Sequence, residues 1–81
     1  MKLILASADW CVPCKAIKSR LASDNLLDRV EIKDADVDIV FFRANSIKSV
    51  PRLLVMDGET VVELVQGMED IVARIKKDSV A

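Results

Sequence analysis

The chain has 81 residues, room for a single domain over residues 1–81 with a modest core. Hydrophobic residues make up 52 % and charged residues 31 %, which suits a globule and argues against a chain embedded in a membrane. Lys and Arg total 12 and Asp and Glu total 13, so a net charge of −1 offers nucleic acid or anionic lipid no electrostatic attraction.

The opening, Met1-Lys2-Leu3-Ile4-Leu5-Ala6-Ser7-Ala8, has the outline of a signal peptide, with one lysine and an Ala-Ser-Ala. Its apolar run, Leu3 to Ala6, falls short of the roughly 7–15 residues that a secretory segment needs. The continuous apolar run over residues 2–6 predicts a buried strand instead. No run approaches the ~18–20 residues of a membrane span. The expected location is the cytoplasm, where thiols stay reduced.

From Cys11 the period lengthens. Cys14, Ile17 and Leu21 lie on one face of a helix, with Lys15, Lys18, Ser19 and Arg20 on the other. Ser23-Asp24-Asn25 stops that helix. Val30-Glu31-Ile32 alternates as a short second strand. The acidic run Asp34-Ala35-Asp36-Val37-Asp38 reads as solvated surface, and Asp36 or Asp38 suits the N-cap of a helix over 38–46. That helix is expected to turn Val40, Phe41 and Ala44 inward. Val50-Pro51 forces extended geometry, and Leu53-Leu54-Val55-Met56 is a buried strand. Asp57-Gly58 signals a type I′ hairpin, with Thr60 to Val65 returning. Gly67 breaks the strand. A last helix over 69–78 places Met68, Ile71, Val72 and Ile75 on one face. Its dipole is matched by Glu69 and Asp70 near the start and by Lys76 and Lys77 near the end. The order β-α-β-α-β-β-α predicts an α/β fold. A right-handed crossover pairs the first strands in parallel, and the final hairpin is antiparallel. The expected result is a four-stranded mixed sheet flanked by three helices.

The only cysteines, Cys11 and Cys14, enclose Val12-Pro13. A structural zinc site takes four Cys or His ligands. With two cysteines and no histidine, the chain cannot complete one alone, and only a dimer sharing thiolates would do so. As an inert staple, the pair would close a tiny loop and remove little unfolded-state entropy. As a dithiol–disulfide couple it is well placed. It lies between the first strand and the first helix, where free N–H groups stabilise an anion and lower a thiol pKa. Cys11, at the loop mouth, is expected to be the accessible attacking thiolate. Cys14, one turn in, is expected to be buried and to resolve the mixed disulfide. Pro13 suits the first helical turn. Trp10 offers a flat apolar lip to a partner peptide, or fills core. Lys15 either favours the Cys11 thiolate or lies in solvent.

Trp10-Cys11-Val12-Pro13-Cys14-Lys15 resembles the active-site motif of the thioredoxin family, with Val12 where that family most often has glycine. Ile47-Lys48-Ser49-Val50-Pro51 resembles the segment ending in the family's cis-proline. Leu53 to Glu59 resembles its strand and hairpin, and Gln66-Gly67 the glycine before its last helix. The resemblance covers nearly the whole chain, as a minimal version of the size of small glutaredoxins. It implies a thioredoxin-like fold, with Cys11 as nucleophile, Cys14 as resolving thiol and Pro51 cis against the disulfide. Val50 would pair its backbone with an extended substrate, and Trp10, Val12, Pro13 and Gly67 would line the same groove. The aspartate that thioredoxins bury six residues before the first cysteine is Leu5 here. Asp9 and Asp34 are the candidate substitutes. Arg52 follows the proline where threonine is common, and would stabilise the thiolate, select acidic partners, or simply lie at the surface.

The implied activity is reduction of protein disulfides by a small thiol–disulfide oxidoreductase. Its only cofactor would be the Cys11–Cys14 disulfide itself, with no metal. Its partners would be disulfide-containing proteins and a reductant, either a thioredoxin-reductase-like enzyme or glutathione. The working unit would be a monomer engaging no nucleic acid and no membrane. A glutaredoxin-like, glutathione-recycled enzyme is the first alternative, and the single glycine of Gln66-Gly67-Met68-Glu69-Asp70 speaks against it. A redox-independent binding module is the second.

Overall fold

The computed structural model describes residues 1–79. The N-terminal apolar run forms β1 (Lys2–Ser7), followed by α1 (Val12–Ser23) and a 3-10 turn at Leu27–Arg29. Then come β2 (Glu31–Asp34), α2 (Ile39–Ala44), β3 (Arg52–Asp57), β4 (Thr60–Gln66) and α3 (Met68–Ser79). The sheet order is β2-β1-β3-β4. β1 pairs in parallel with β2 and antiparallel with β3, and β3 pairs antiparallel with β4. This is the expected four-stranded mixed sheet with three helices.

The two inner strands are covered on both faces, which is why their sequences are almost continuously apolar. Leu3, Leu5, Leu53 and Val55 pack with Ile17 and Leu21 of α1 and with Ile71, Val72 and Ile75 of α3. Ile4, Ala6, Leu54 and Met56 pack on the opposite face with Phe42 and Ile47. Thus α1 and α3 share one face and α2 lies on the other.

Both of the first two helices stop in a Schellman motif. At the end of α1, Asn25 has φ +58°, and the Leu26 N–H donates to the Leu21 carbonyl at 2.7 Å. At the end of α2, Ser46 has φ +54°, and the Ile47 N–H donates to the Phe42 carbonyl at 2.9 Å. Each motif swings the next apolar residue, Leu26 or Ile47, into the core.

Three expectations are corrected. In α2 the anchor is Phe42, whereas Val40 is 82 % exposed, Ala44 is exposed and Phe41 is half-buried. The helix is short, and its C-terminal motif puts Phe42 and Ile47 on the same side. Phe41 does pack against the cluster of Phe42 and Ile47 from its edge, as expected, and it meets the Phe42 ring edge-on at 6.2 Å and lies under the Lys33 ammonium. Met68 is exposed because it opens α3 directly after the turn, and the inward stripe begins at Ile71. Finally, Asp57 pairs with Thr60, so the two loop residues are Gly58 and Glu59. Positive φ falls on Gly58 alone, which fits type II′ rather than type I′.

Candidate active site

The site is built where β1 gives way to α1. The chain turns at Ala8, whose carbonyl accepts the Cys11 N–H at 3.1 Å. Cys11 is then the N-cap of α1, in extended geometry, and its Sγ accepts the Cys14 N–H at 3.2 Å. A helix N-terminus thus aims one of its free donors at the Cys11 sulfur. Pro13 sits in the first turn, where its missing N–H costs nothing. Cys11 and Cys14 are joined as a disulfide, with Cα atoms 5.2 Å apart.

Cys14 is buried as expected, whereas Cys11 is more covered than the sequence suggests. Cys14 is 0 % exposed and Cys11 only 5 %. Ala8, Ala35 and Val50 pack around the pair and account for the cover. What exposure remains belongs to Cys11. Val12 and Pro13 stand out in solvent as a rim.

Trp10 is 65 % exposed, which rules out a role as core filler. Its indole is nevertheless held, with Nε1 donating to Asp36 Oδ2 at 3.1 Å. Asp36 comes from the acidic run after β2, which is no loose solvated stretch. The Asp36 N–H donates to Asp34 Oδ1 at 2.8 Å, and the Asp34 N–H donates to Asp38 Oδ2 at 2.8 Å. Asp38 is the N-cap residue of α2 but makes no side-chain cap bond, because its carboxylate turns back to Asp34. Ala8 and Ala35 were not expected at the site, and Asp36 was expected only as an alternative N-cap of α2, a place that Asp38 takes.

The Val50–Pro51 peptide is cis. Val50 touches the cysteine cluster and, with Trp10, Ala35, Phe42, Ile47 and Ser49, lines a small hollow of about 100 Å³ beside it. Gly67 follows Gln66, which pairs with Arg52, so the register carries Gly67 alongside Pro51. Its φ is +89° and its carbonyl accepts the Ile71 N–H at 2.9 Å, leading into α3.

The proposed tuning residues are dispersed. Asp9 and Lys15 are exposed. The Asp34 carboxylate is engaged in its own loop. Arg52 lies opposite Ala6 on the α2 face, half-buried, with its Nε unpartnered. Leu5 is fully buried in the apolar cluster shared with α1 and α3. Among the described residues no side-chain hydrogen bond or ion pair links Asp9, Lys15, Asp34 or Arg52 to either cysteine, and Lys15 meets Cys11 only through the helical bond from its N–H to the Cys11 carbonyl at 3.2 Å. Among the described residues no group of three or more His, Cys, Asp and Glu side chains is placed to hold a metal. No helix among them is long and apolar enough to cross a membrane.

Comparison with known proteins follows the same line. The thioredoxin family model matches residues 1–77. A comparison with curated proteins finds no match. Among solved structures, the short form of spinach chloroplast thioredoxin f superposes with a TM-score of 0.70 at 22 % identity, covering 95 % of this chain and 74 % of that one. A thioredoxin from Plasmodium falciparum gives 0.72 at 23 % identity, covering 94 % and 83 %. A thioredoxin f2 complex with ferredoxin:thioredoxin reductase gives 0.67 at 27 % identity, covering 96 % and 78 %. The chain belongs to the thioredoxin family, and its Cys11–Cys14 pair makes it a thiol–disulfide oxidoreductase.

Proposed function

We propose that the chain reduces disulfides in protein substrates, with Cys11 as the attacking sulfur and Cys14 as the resolving one. The observation that carries this assignment is the N-cap geometry. The Cys11 sulfur receives the Cys14 N–H and keeps the only exposure in the pair. A charge developing there is stabilised by that donor and by the helix dipole. The Cys11 thiolate attacks one substrate sulfur, the substrate S–S bond breaks, and one substrate thiolate leaves. The Cys14 thiolate then attacks Cys11 Sγ, and the second substrate thiolate departs. Two electrons have passed to the substrate, and the protein is left with the closed disulfide seen here.

Trp10, Val12 and Pro13 form one side of the substrate groove, and Val50, Pro51 and Gly67 form the other. An extended substrate segment pairs with the backbone at Val50. Recharging falls to a dithiol reductase in a reducing cytoplasm, with the protein acting as a monomer. The thioredoxin f2 seen with its reductase supports a partner of that kind over glutathione.

The test is the equilibrium potential of the couple, titrated in defined thiol–disulfide buffers. A value at or below roughly −230 mV is expected for a reductant of cytosolic disulfides. A value near or above about −180 mV would replace this reading by an oxidase or isomerase role.

A further inference from the structure

Arg52 opens β3, is half-buried, and holds its Nε out of water without a partner. Among the described residues its guanidinium makes no hydrogen bond and no ion pair. Taking part of a cation out of water unpaired costs stability, so its place in the fold asks for a reason. That place is beside the site. Arg52 is two residues from Val50, which packs on the cysteines, so the Cα atoms of the two are at most about 8 Å apart. Arg52 pairs with Ala6 on one side and with Gln66 on the other, and Gln66 leads into Gly67. Paired residues share a face, and Ala6 packs with Phe42 of α2, so Arg52 and Gln66 stand on the α2 face. The cover on that face ends at β3. Ala6 and Leu54 are buried, whereas Leu64, which pairs with Leu54, and Gln66 are exposed. The guanidinium therefore belongs to the margin of the covered face, next to the groove wall of Pro51 and Gly67. Of the two strands that flank β3, β1 carries no carboxylate and β4 only Glu63. Glu63 pairs with Val55 on the opposite face and bonds Arg74 at 3.0 Å.

We propose that Arg52 determines substrate specificity, its guanidinium receiving a carboxylate of the protein substrate, so that the preferred disulfide carries a Glu or Asp within a few residues of the attacked cysteine. The inference rests on the reading of the chain as a reductase of protein disulfides and names the class of segment it takes. A guanidinium presents a planar fork of donors that fits a carboxylate with two parallel hydrogen bonds. Partial burial shields such a pair from water and salt, so it discriminates more than a fully exposed pair does. The fold leaves the fork unpaired and puts no carboxylate of the flanking strands on its face, so an incoming acid meets no internal competitor there. This role differs from stabilising a cysteine thiolate. A guanidinium that held the thiolate would speed every substrate alike, whereas one that receives a substrate carboxylate favours only substrates that carry it.

The test uses short disulfide-looped peptides, with a glutamate placed in turn at each position near one cysteine, each compared with its glutamine counterpart. The parent should reduce the preferred glutamate peptide with kcat/KM about tenfold above the glutamine peptide, the difference lying in KM. In Arg52→Met that ratio should fall to near one. Arg52→Lys should restore part of it, because an ammonium keeps the charge and loses the fork. The ratio is taken within each protein, so a general loss of activity or stability in a variant does not imitate the effect. A parent that treats glutamate and glutamine alike at every position would overturn the proposal. So would an Arg52→Met protein that keeps the preference. A fall in kcat shared by both peptides, with the ratio unchanged, would assign the guanidinium to the thiolate instead. Slower reduction of oxidised glutathione alone, again with the peptide ratio unchanged, would assign it to the carboxylates of glutathione. A parent that reduces no peptide would sink the reductase reading alone. The affinities of the oxidised protein for the two peptides, measured by calorimetric titration with the same tenfold ratio expected, would still decide the role of Arg52.

Discussion

Removing the acceptor of the Trp10 indole, by Asp36→Ala, tests whether the apolar lip must be held in place. Charge-assisted hydrogen bonds contribute about 1.5–3 kcal/mol when protected from water. Trp10 is 65 % exposed and Asp36 is exposed, so water competes, and screening reduces the figure to about 0.5–1 kcal/mol. That corresponds to a two- to fivefold preference, roughly, for the held indole over the released one. If substrate binds against the held indole, kcat/KM for a disulfide-containing protein should fall by the same factor. The chain has one tryptophan and no tyrosine, so its fluorescence reports this site alone. Anisotropy decay of Trp10 should show a faster local motion in Asp36→Ala. Asp36→Asn keeps a carbonyl acceptor and should behave nearly as the parent does. Unchanged anisotropy and unchanged kcat/KM in Asp36→Ala would refute the reasoning. Equal losses in the Asn and Ala variants would assign the effect to charge rather than to the hydrogen bond.

Replacing Cys14 by serine should accumulate a mixed disulfide between Cys11 and substrate, visible on a non-reducing gel, whereas Cys11→Ser should give none. Gly67→Ala should cost about 1–2 kcal/mol from backbone strain alone. Its φ is +89° and an added Cβ would meet nothing within 4 Å. At a urea dependence of about 1 kcal/mol per molar, its midpoint should drop by ~1–2 M. Phe42→Ala should cost about 3–5 kcal/mol, a large share of the ~4–12 kcal/mol expected for 81 residues. Phe41→Ala, at a half-buried position, should cost clearly less in the same urea titration, and the reverse order would mean that α2 packs with the opposite phase.

Those two phenylalanines also show where sequence patterning runs out. The stripe Cys14, Ile17, Leu21 fixes the phase of α1 because that helix is twelve residues long. The six residues of α2 offer too few turns to choose between adjacent rings. The choice is made by the turn that follows, at Ser46, a non-glycine residue with positive φ that nothing in the composition announces. The hairpin is a similar case. Asp57-Gly58 marks a turn correctly, yet the turn type depends on where pairing stops, and that is set by the register of Asp57 with Thr60.

The site divides along the same line, by the sequence distance between partners. Cys11 and its donor are three residues apart, so the N-cap geometry follows from a strand, a loop and a helix in succession. Trp10 and Asp36 are 26 residues apart. Their meeting depends on β1 and β2 being parallel, with Ser7 level with Asp34. Two parallel neighbours end at the same edge of the sheet, so the segments leaving them run side by side. The Ala35 N–H donates to the Ser7 carbonyl at 2.9 Å and extends that pairing past the strand ends. From there Ala35 packs on the cysteines and Asp36 reaches the indole. The sequence order already implied the parallel pair. What it lacked was the register, and a shift of one residue would have turned Ala35 and Asp36 to opposite faces. The acidic run therefore looked like surface because its charge was legible and its alignment was not.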